Sequence, residues 1–187
     1  VSHMGYVLMG IATLHTLGMS GAVLQMFSHG VMTALLFAVV GMIYERTHSR
    51  EILVLGGMAK RMGFTSAMFV VAGLTSLGLP GLSGFVAELL VFMGVFQSYG
   101  AWGLVLGSLA VIGAAITAVY MLRLIGKVFF GPLGDRWRNQ TDSIPRERFA
   151  AGLLVGVILL VGLWPFPFIE VIDAGVTPLL SQILGAG

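Results

Sequence analysis

Eight carboxylates occur in this 187-residue chain, and seven of them lie in loops, at segment ends or in the tail. The eighth, Glu88, sits in "LTSLGLPGLSGFVAELLVFMG", Leu74 to Gly94, a stretch that is otherwise almost wholly apolar. At helical rise Glu88 lies roughly 13 Å from Gln97, which places it near the middle of a span. An ionised carboxylate in hydrocarbon is costly, so such residues face protein or water and mark ion paths. Two imidazoles accompany it: His3 in "SHMG", and His29 in "QMFSHGVMTALLF", about 12 Å into its own apolar run. Histidine titrates near neutrality, which suits a group that passes protons on. Two histidines and a glutamate on neighbouring spans form a proton-transfer pattern. A metal site is disfavoured, because neither histidine belongs to an HxxxH or HxxE spacing and cysteine is absent. The plainer alternative is a structural acid paired with Ser or His, beside neutral imidazoles bonded to carbonyls. His15, near a membrane surface, and His48, in a basic loop, fit that plainer role.

A helix break lies four to ten residues before Glu88: Gly78, Pro80, Gly81 and Gly84, with Ser83 among them. The apolar stretch from Met62 to Gln97 would reach roughly 54 Å as one straight helix, against a hydrocarbon core of about 30 Å. Pro80 removes a backbone donor and clashes with the preceding turn, and the glycines permit non-helical backbone. Two half-helices are therefore expected, about Phe64–Leu77 and Phe85–Phe96, joined by a loop inside the membrane. Such a loop must be buried in protein or line a wet cavity. Its free N–H and C=O groups can order water, and the second half-helix points the positive end of its dipole at the loop. The proximity of this break favours the functional reading of Glu88.

The composition requires a membrane. Hydrophobic residues make up 57% and charged residues 10% of the chain, with mean hydropathy +0.98; a soluble domain carries about 25% charged residues. The net charge of +2 does not point to nucleic acid, because the basic residues sit beside apolar spans. Five segments approach spanning length: Val1–Leu14, Gly21–Tyr44, Met62–Gln97, Ala101–Phe130 and Phe149–Phe166. The fold expected is all-α and integral to the membrane, one domain over residues 1–187, with about five transmembrane segments and the third broken. Pro165 and Pro167 should end the fifth, leaving an interfacial tail with Trp164 and Phe166 at the headgroups. "Gly152–Leu–Leu–Val–Gly156" has GxxxG spacing, a weak signal in apolar sequence. The chain opens already apolar and without an initiator Met, so it reads as an N-terminally truncated piece of a longer protein. "SHM" as a cloning scar is the weaker alternative, because the run into Gly5–Ala12 is seamless.

Charge fixes the orientation. Arg46, Arg50, Lys60 and Arg61 follow segment two; Arg123, Lys127, Arg136, Arg138, Arg146 and Arg148 end segment four or follow it. That accounts for all ten Lys and Arg, and the connections at Thr16–Ser20 and Gln97–Gly100 hold none. If segments two to five each cross once, both basic loops lie on one side, the cytoplasmic side or its equivalent. Arg123 and Lys127, one turn apart, are cytoplasmic-side charges whose default is snorkelling, with proton uptake the minority role.

"SHMGYVLMGI", "QMFSHGVMTALLFAVVGMIYERTHSREI", "GGMAKRM" and "LGLPGLSGFVAELLVFMG" together resemble the proton-translocating membrane subunit M of respiratory complex I, NADH:quinone oxidoreductase. The same subunit is called subunit 4 in mitochondria and has a counterpart in the photosynthetic plastoquinone-reducing complex. The resemblance covers at least residues 1–131 and implies the C-terminal half of an antiporter-like fold. It implies that Glu88 is the acid after the break in the second discontinuous helix, where the sister subunits L and N usually carry Lys. It further implies that His3 and His29 belong to a polar axis along the membrane centre, and that Gly78, Pro80 and Gly84 form the break. The implied function is redox-driven proton translocation in a multi-pass protein of a bacterial inner, thylakoid or mitochondrial inner membrane, beside L- and N-type neighbours and the lipid bilayer. NADH, FMN, Fe–S clusters and quinone are then expected in partner subunits, with no cofactor, metal or redox site in this chain. Two rivals remain: an Mrp-type cation/proton antiporter subunit, and a purely structural membrane subunit such as that of a membrane-bound hydrogenase.

The segregation of basic residues predicts labelling from defined sides. A cysteine at Ser49 or Asn139 should react with membrane-impermeant thiol reagents from the cytoplasmic side alone, and one at Ser98 from the outer side alone. Labelling of Ser98 and Asn139 from the same side would defeat this topology.

Overall fold

The computed structural model describes residues 2–185. Val1, the expected start of the first apolar segment, lies outside the described residues, as do Ala186 and Gly187 of the expected tail. Among the described residues the regular elements are all helical: α1 (Ser2–Ala12), α2 (Thr16–Thr47), α3 (Gly63–Ser76), α4 (Ser83–Ser98), α5 (Ala101–Phe129), α6 (Pro145–Leu163) and α7 (Phe166–Ile183). Single 3-10 turns occupy Met58–Lys60 and Asp135–Trp137. Helices α2 and α5, of 32 and 29 residues, are each long and apolar enough to cross a membrane alone, and α6 with α7 qualifies as a bent pair. Helices α3 and α4 are apolar but have 14 and 16 residues, short of the ~20 a span needs, as the halves of a broken span should be.

Helix α2 is the mast of the bundle and packs against α1, α3, α4, α6 and α7. It begins five residues before the apolar run does, because His15 caps it. The His15 Nδ1 accepts the Leu17 N–H at 3.3 Å, which meets one of the orphan donors of the first turn. Its crossing with α4 is made by glycines. A Cβ on Gly21 would come 2.6 Å from the Val91 nitrogen, and one on Gly94 would run into the Gly18 backbone. In lipid, where neighbouring tails are as apolar as the helices, such backbone contact is a main source of helix association. The GxxxG pair Gly152 and Gly156 faces nothing within 4 Å, so its spacing has no packing role here.

The break lies within a residue or two of its expected place, but glycine, rather than proline, makes it. Helix α3 ends in a Schellman cap. The Leu79 N–H donates to Leu74 O at 3.3 Å, the Gly78 N–H donates to Thr75 O at 3.1 Å, and Gly78 takes the left-handed φ of +64° that this cap requires. Pro80 follows the finished cap, where it has no helical turn to clash with. Helix α4 then starts on top of α3: a Cβ on Gly84 would meet the Thr75 carbonyl.

The chain ends its spans in two distinct sets of connections. At one end the two basic loops interlock, with the Trp137 Nε1–H donating to Val54 O at 3.0 Å and Arg46 gripping Glu147 through both oxygens at 2.6 and 3.1 Å. At the other end the Tyr99 hydroxyl bonds Ala12 O, and Ser20 bonds Asp173. Both basic loops thus share one end of the bundle, opposite the Gln97–Gly100 connection and Asp173.

The tail is a helix, which the two prolines obscured in the sequence. Pro165 is its N-cap and Pro167 lies in its first turn, where no intrahelical N–H is needed. Helix α7 turns 77° from α6 and lays Ile172, Val176 and Leu180 on Met19 and Val23 of α2.

One acid joins the basic-end loops to α3. Met62, the N-cap of α3, supplies no side-chain bond. Asp142 supplies it from across the chain, accepting from the Phe64 N–H at 2.8 Å, the Thr65 N–H at 3.3 Å and the Thr65 hydroxyl at 2.7 Å. Burial pushes the Asp142 carboxyl up, but the bonds from Thr65, Ser143 and Phe64 outweigh it and hold it below its ordinary value of 3.8. The folded value is depressed, so this stabilisation is fully present above the unfolded value and is lost as pH falls through the folded one. Asp142→Ala in the full-length subunit should cost about 1 kcal/mol, the usual worth of a cap, and should flatten the acid limb of thermal stability below the unfolded value. Unchanged melting between neutral and acid pH, relative to the parent, would contradict the trans-cap.

Candidate functional site

Three helices bring the polar residues together. Helix α1 supplies His3 and Tyr6, one turn apart. Helix α2 supplies Gln25, Ser28 and His29, whose i, i+3, i+4 spacing sets them on one face. Helix α4 supplies Ser83 in its first turn and Glu88 in its second. The glycine crossing of α2 and α4 lets these side chains meet at close range.

Glu88 is 6% exposed. Its carboxylate is tucked against the break and occupies the space where a Cβ on Gly78 would project. Its Oε1 lies 3.6 Å from His3 Nδ1, longer than a hydrogen bond and close enough for a small side-chain rotation to make one. The same His3 nitrogen lies 3.1 Å from Gln25 Nε2. The His3 and His29 rings are 5.2 Å apart between centroids, tilted by 35°. Beside them the Ser28 and Ser83 hydroxyls share a hydrogen bond of 2.7 Å, which ties α2 to the first turn of α4. Tyr6 closes the flank: its hydroxyl donates to Ala110 O of α5 at 3.3 Å, and its ring meets Phe92 edge-on at 5.5 Å. Two buried polar atoms of the cluster, Gln25 Oε1 and His29 Nδ1, have no hydrogen-bond partner among the described residues.

The break is covered on one side. A Cβ on Gly162 of α6 would press into the Gly81 and Leu82 backbone, so α6 seats directly on the loop. The tip, Leu79 and Pro80, remains exposed. This tip tolerates an apolar setting, because the Leu79 N–H is already bonded to Leu74 O and proline has no N–H.

The structure therefore brings together Glu88, His3, His29 and Gly78, with Gly81 and Gly84 shaping the loop beside them. It does not bring Arg123 or Lys127. Both are exposed on the last turns of α5, and the helical rise from Ala110 to Arg123 is roughly 20 Å. Sequence reasoning missed Gln25, Ser28 and Tyr6, and placed Ser83 in the break without its Ser28 partner. The signal for the α2 pair was available in the spacing of Gln25 and Ser28 with His29, three polar residues on one face of an apolar helix. Chemically, the cluster is centred on His3, which meets the Glu88 acid, the His29 ring and the Gln25 amide; Glu88 and Gln25 are buried, and the two histidines are half-buried.

A model of the family described as "NADH:quinone oxidoreductase/Mrp antiporter, TM" matches residues 1–117. NAD(P)H-quinone oxidoreductase chain 4 1 of Synechococcus elongatus is 41% identical over 98% of this chain and 35% of its own length. Chain 4 of Acaryochloris marina is 42% identical over 98% and 35%. The chain thus spans about a third of the length of the curated relatives it matches. Among solved structures, respiratory complex I from Thermus thermophilus with bound NADH superposes with TM-score 0.82 at 28% identity, over 95% of this chain and 37% of that one. The Mrp complex from Dietzia sp. superposes with TM-score 0.84 over 96% and 41%, at 20% identity, a likeness of fold alone. The helical bundle, its broken span and a family match covering more than half of the residues agree: this multi-pass membrane chain belongs to the NADH:quinone oxidoreductase/Mrp antiporter transmembrane family.

Proposed function

We propose that this chain is the proton-carrying part of a chain 4-type (subunit M) membrane subunit of an NAD(P)H:quinone oxidoreductase, with Glu88 as the terminal carrier. The observation that carries this reading is the Glu88 carboxylate, buried at 6% exposure, seated in the helix break and 3.6 Å from His3 Nδ1. The relatives named chain 4, at 41% and 42% identity, support the complex over a free-standing antiporter. The Mrp likeness extends to the fold.

Redox energy released in partner subunits shifts charge along the buried axis. NADH, FMN, Fe–S clusters and quinone belong to those partners, and L- and N-type membrane subunits are the neighbours in the bilayer. Within this chain His29 loads His3, and the proton then moves from His3 to Glu88. The Nδ1–H bond breaks, an O–H bond forms on the carboxyl, and imidazolium and carboxylate both become neutral. Neutralisation is favourable where water is scarce, because separated charges are expensive there. Glu88 then releases the proton toward the end of the bundle opposite the basic loops, the outer side. The cap at Gly78 leaves room for the carboxyl to turn, and the Ser28–Ser83 pair keeps the two helices in register while it does.

In the intact complex, Glu88→Gln preserves volume and removes the titratable proton. It should lower proton translocation about tenfold or more and slow NADH-driven quinone reduction through coupling, while the complex still assembles. Glu88→Asp should retain part of the activity, and Glu88→Lys should be tolerated better than Glu88→Ala because it stays titratable. Normal pumping by Glu88→Gln would remove Glu88 as the carrier, and failure of that variant to assemble would make it structural.

A further inference from the structure

Gln25 is the polar residue at the site that the proton-transfer reading leaves without a role. It is 2% exposed, on the face of α2 that it shares with Ser28 and His29. A buried primary amide brings two donors and two acceptor lone pairs into a setting where unpaired groups are costly. One end of it, Nε2, lies 3.1 Å from His3 Nδ1. The other end, Oε1, is buried without a partner among the described residues. An apolar residue of the same length would avoid that cost, so packing does not account for the amide.

We propose that Gln25 is a positioning residue that selects the direction of proton movement between His3 and Glu88 by turning one end or the other of its amide toward His3 Nδ1. With Nε2 turned to the ring, its N–H donates to the Nδ1 lone pair and holds that nitrogen as an empty acceptor. With Oε1 turned there, the amide accepts from an Nδ1–H and stabilises the loaded ring, from which Glu88 Oε1 at 3.6 Å takes the proton. After transfer the nitrogen again carries a lone pair, and the amide turns back to donate to it. A carboxyl proton then finds that lone pair already occupied, so return to His3 is blocked. No oxidant or co-reactant is needed: one N–H bond breaks, one O–H bond forms, and the amide changes only its rotamer. The titratable groups facing His3 are Tyr6 on its own helix, His29 of α2 and Glu88 of α4, and the Gln25 amide is the neutral group against the ring that can serve either protonation state.

This inference rests on the proposed proton transfer, and its test separates the two. Three variants are compared in the full-length subunit in its intact complex, with assembly, proton translocation and its pH profile measured together. Gln25→Met keeps the length and loses both ends of the amide. It should assemble, translocate several-fold more slowly, and move the alkaline limb of the profile down by about one pH unit, the worth of one hydrogen bond to a charged ring. Gln25→Glu offers acceptor oxygens alone when ionised, so it should hold the ring loaded and move the same limb upward. Support for the amide switch requires the downward shift and slowed translocation in Gln25→Met, because a carboxylate at this position raises the titration of a neighbouring imidazole whatever the native amide does. A parental rate and profile in Gln25→Met overturns it, as do shifts of the same sign or loss of assembly in both variants. If Gln25→Met alone fails to assemble, Gln25→Leu is read in its place, with a downward shift supporting the proposal and a parental profile overturning it. Glu88→Gln is run beside them. If it pumps normally, the proton-transfer reading itself falls; if it is impaired while the Gln25 variants are normal, the role of Gln25 alone falls.

Discussion

The carboxylate of Glu88 and any side chain on residue 78 would claim the same space. That exclusion ties the break to the acid. Residue 78 has to be glycine for its left-handed φ of +64°, and it has to be glycine again so that a carboxyl can lie against the cap. The cap in turn satisfies the carbonyls of Leu74 and Thr75 internally, which a membrane demands, since hydrocarbon offers no water to freed backbone groups. A buried polar group and a chain that stops being helical beside it are thus solutions to each other. The loop gives the acid room, and the N–H groups of Gly78, Leu79 and Leu82 are bonded within it.

Everything else in the bundle holds this pair in place. Helix α2 carries the partner side chains, and its glycines at 18 and 21 let α4 approach until backbone meets backbone. Close approach puts Ser28 within hydrogen-bond range of Ser83 and, from α1, His3 within range of Gln25. The basic end is held by different means, with charged and aromatic side chains binding loop to loop: Arg46 with Glu147, Trp137 with Val54, and Asp142 capping α3 from across the chain. Polar cross-links suit that end because water there moderates the cost of charge, whereas small-residue contact suits the middle.

Much of this was legible in the sequence. The membrane class follows from 10% charged residues, the broken span from a stretch too long and too rich in glycine, and the shared side of the two loops from the placement of ten basic residues. Legibility failed where a residue acts through a distant partner. Thr16 to Ser20 looked like a connection and is helix, because His15 caps it and α1, α4 and α7 cover it. Pro165 and Pro167 looked like an end and open α7 instead, because the first turn of a helix needs no N–H donors. Pro80 looked like the cause of the break and follows a cap already completed by Gly78.

By itself, the sequence determined which residues are expensive in a membrane: one carboxylate and two imidazoles within apolar runs, with a break close by. Cost is a property of residue type and of the hydropathy of its neighbours along the chain, so it can be read without coordinates. The tertiary structure alone decided which of these costs are shared. That Glu88 faces Gly78 and His3, that Gln25 meets His3, and that Arg123 and Lys127 stay far away depend on helix rotation and crossing depth. Those are set by glycine contacts between α2 and α4, residues some seventy positions apart, and no local pattern in either helix encodes the partner it will touch.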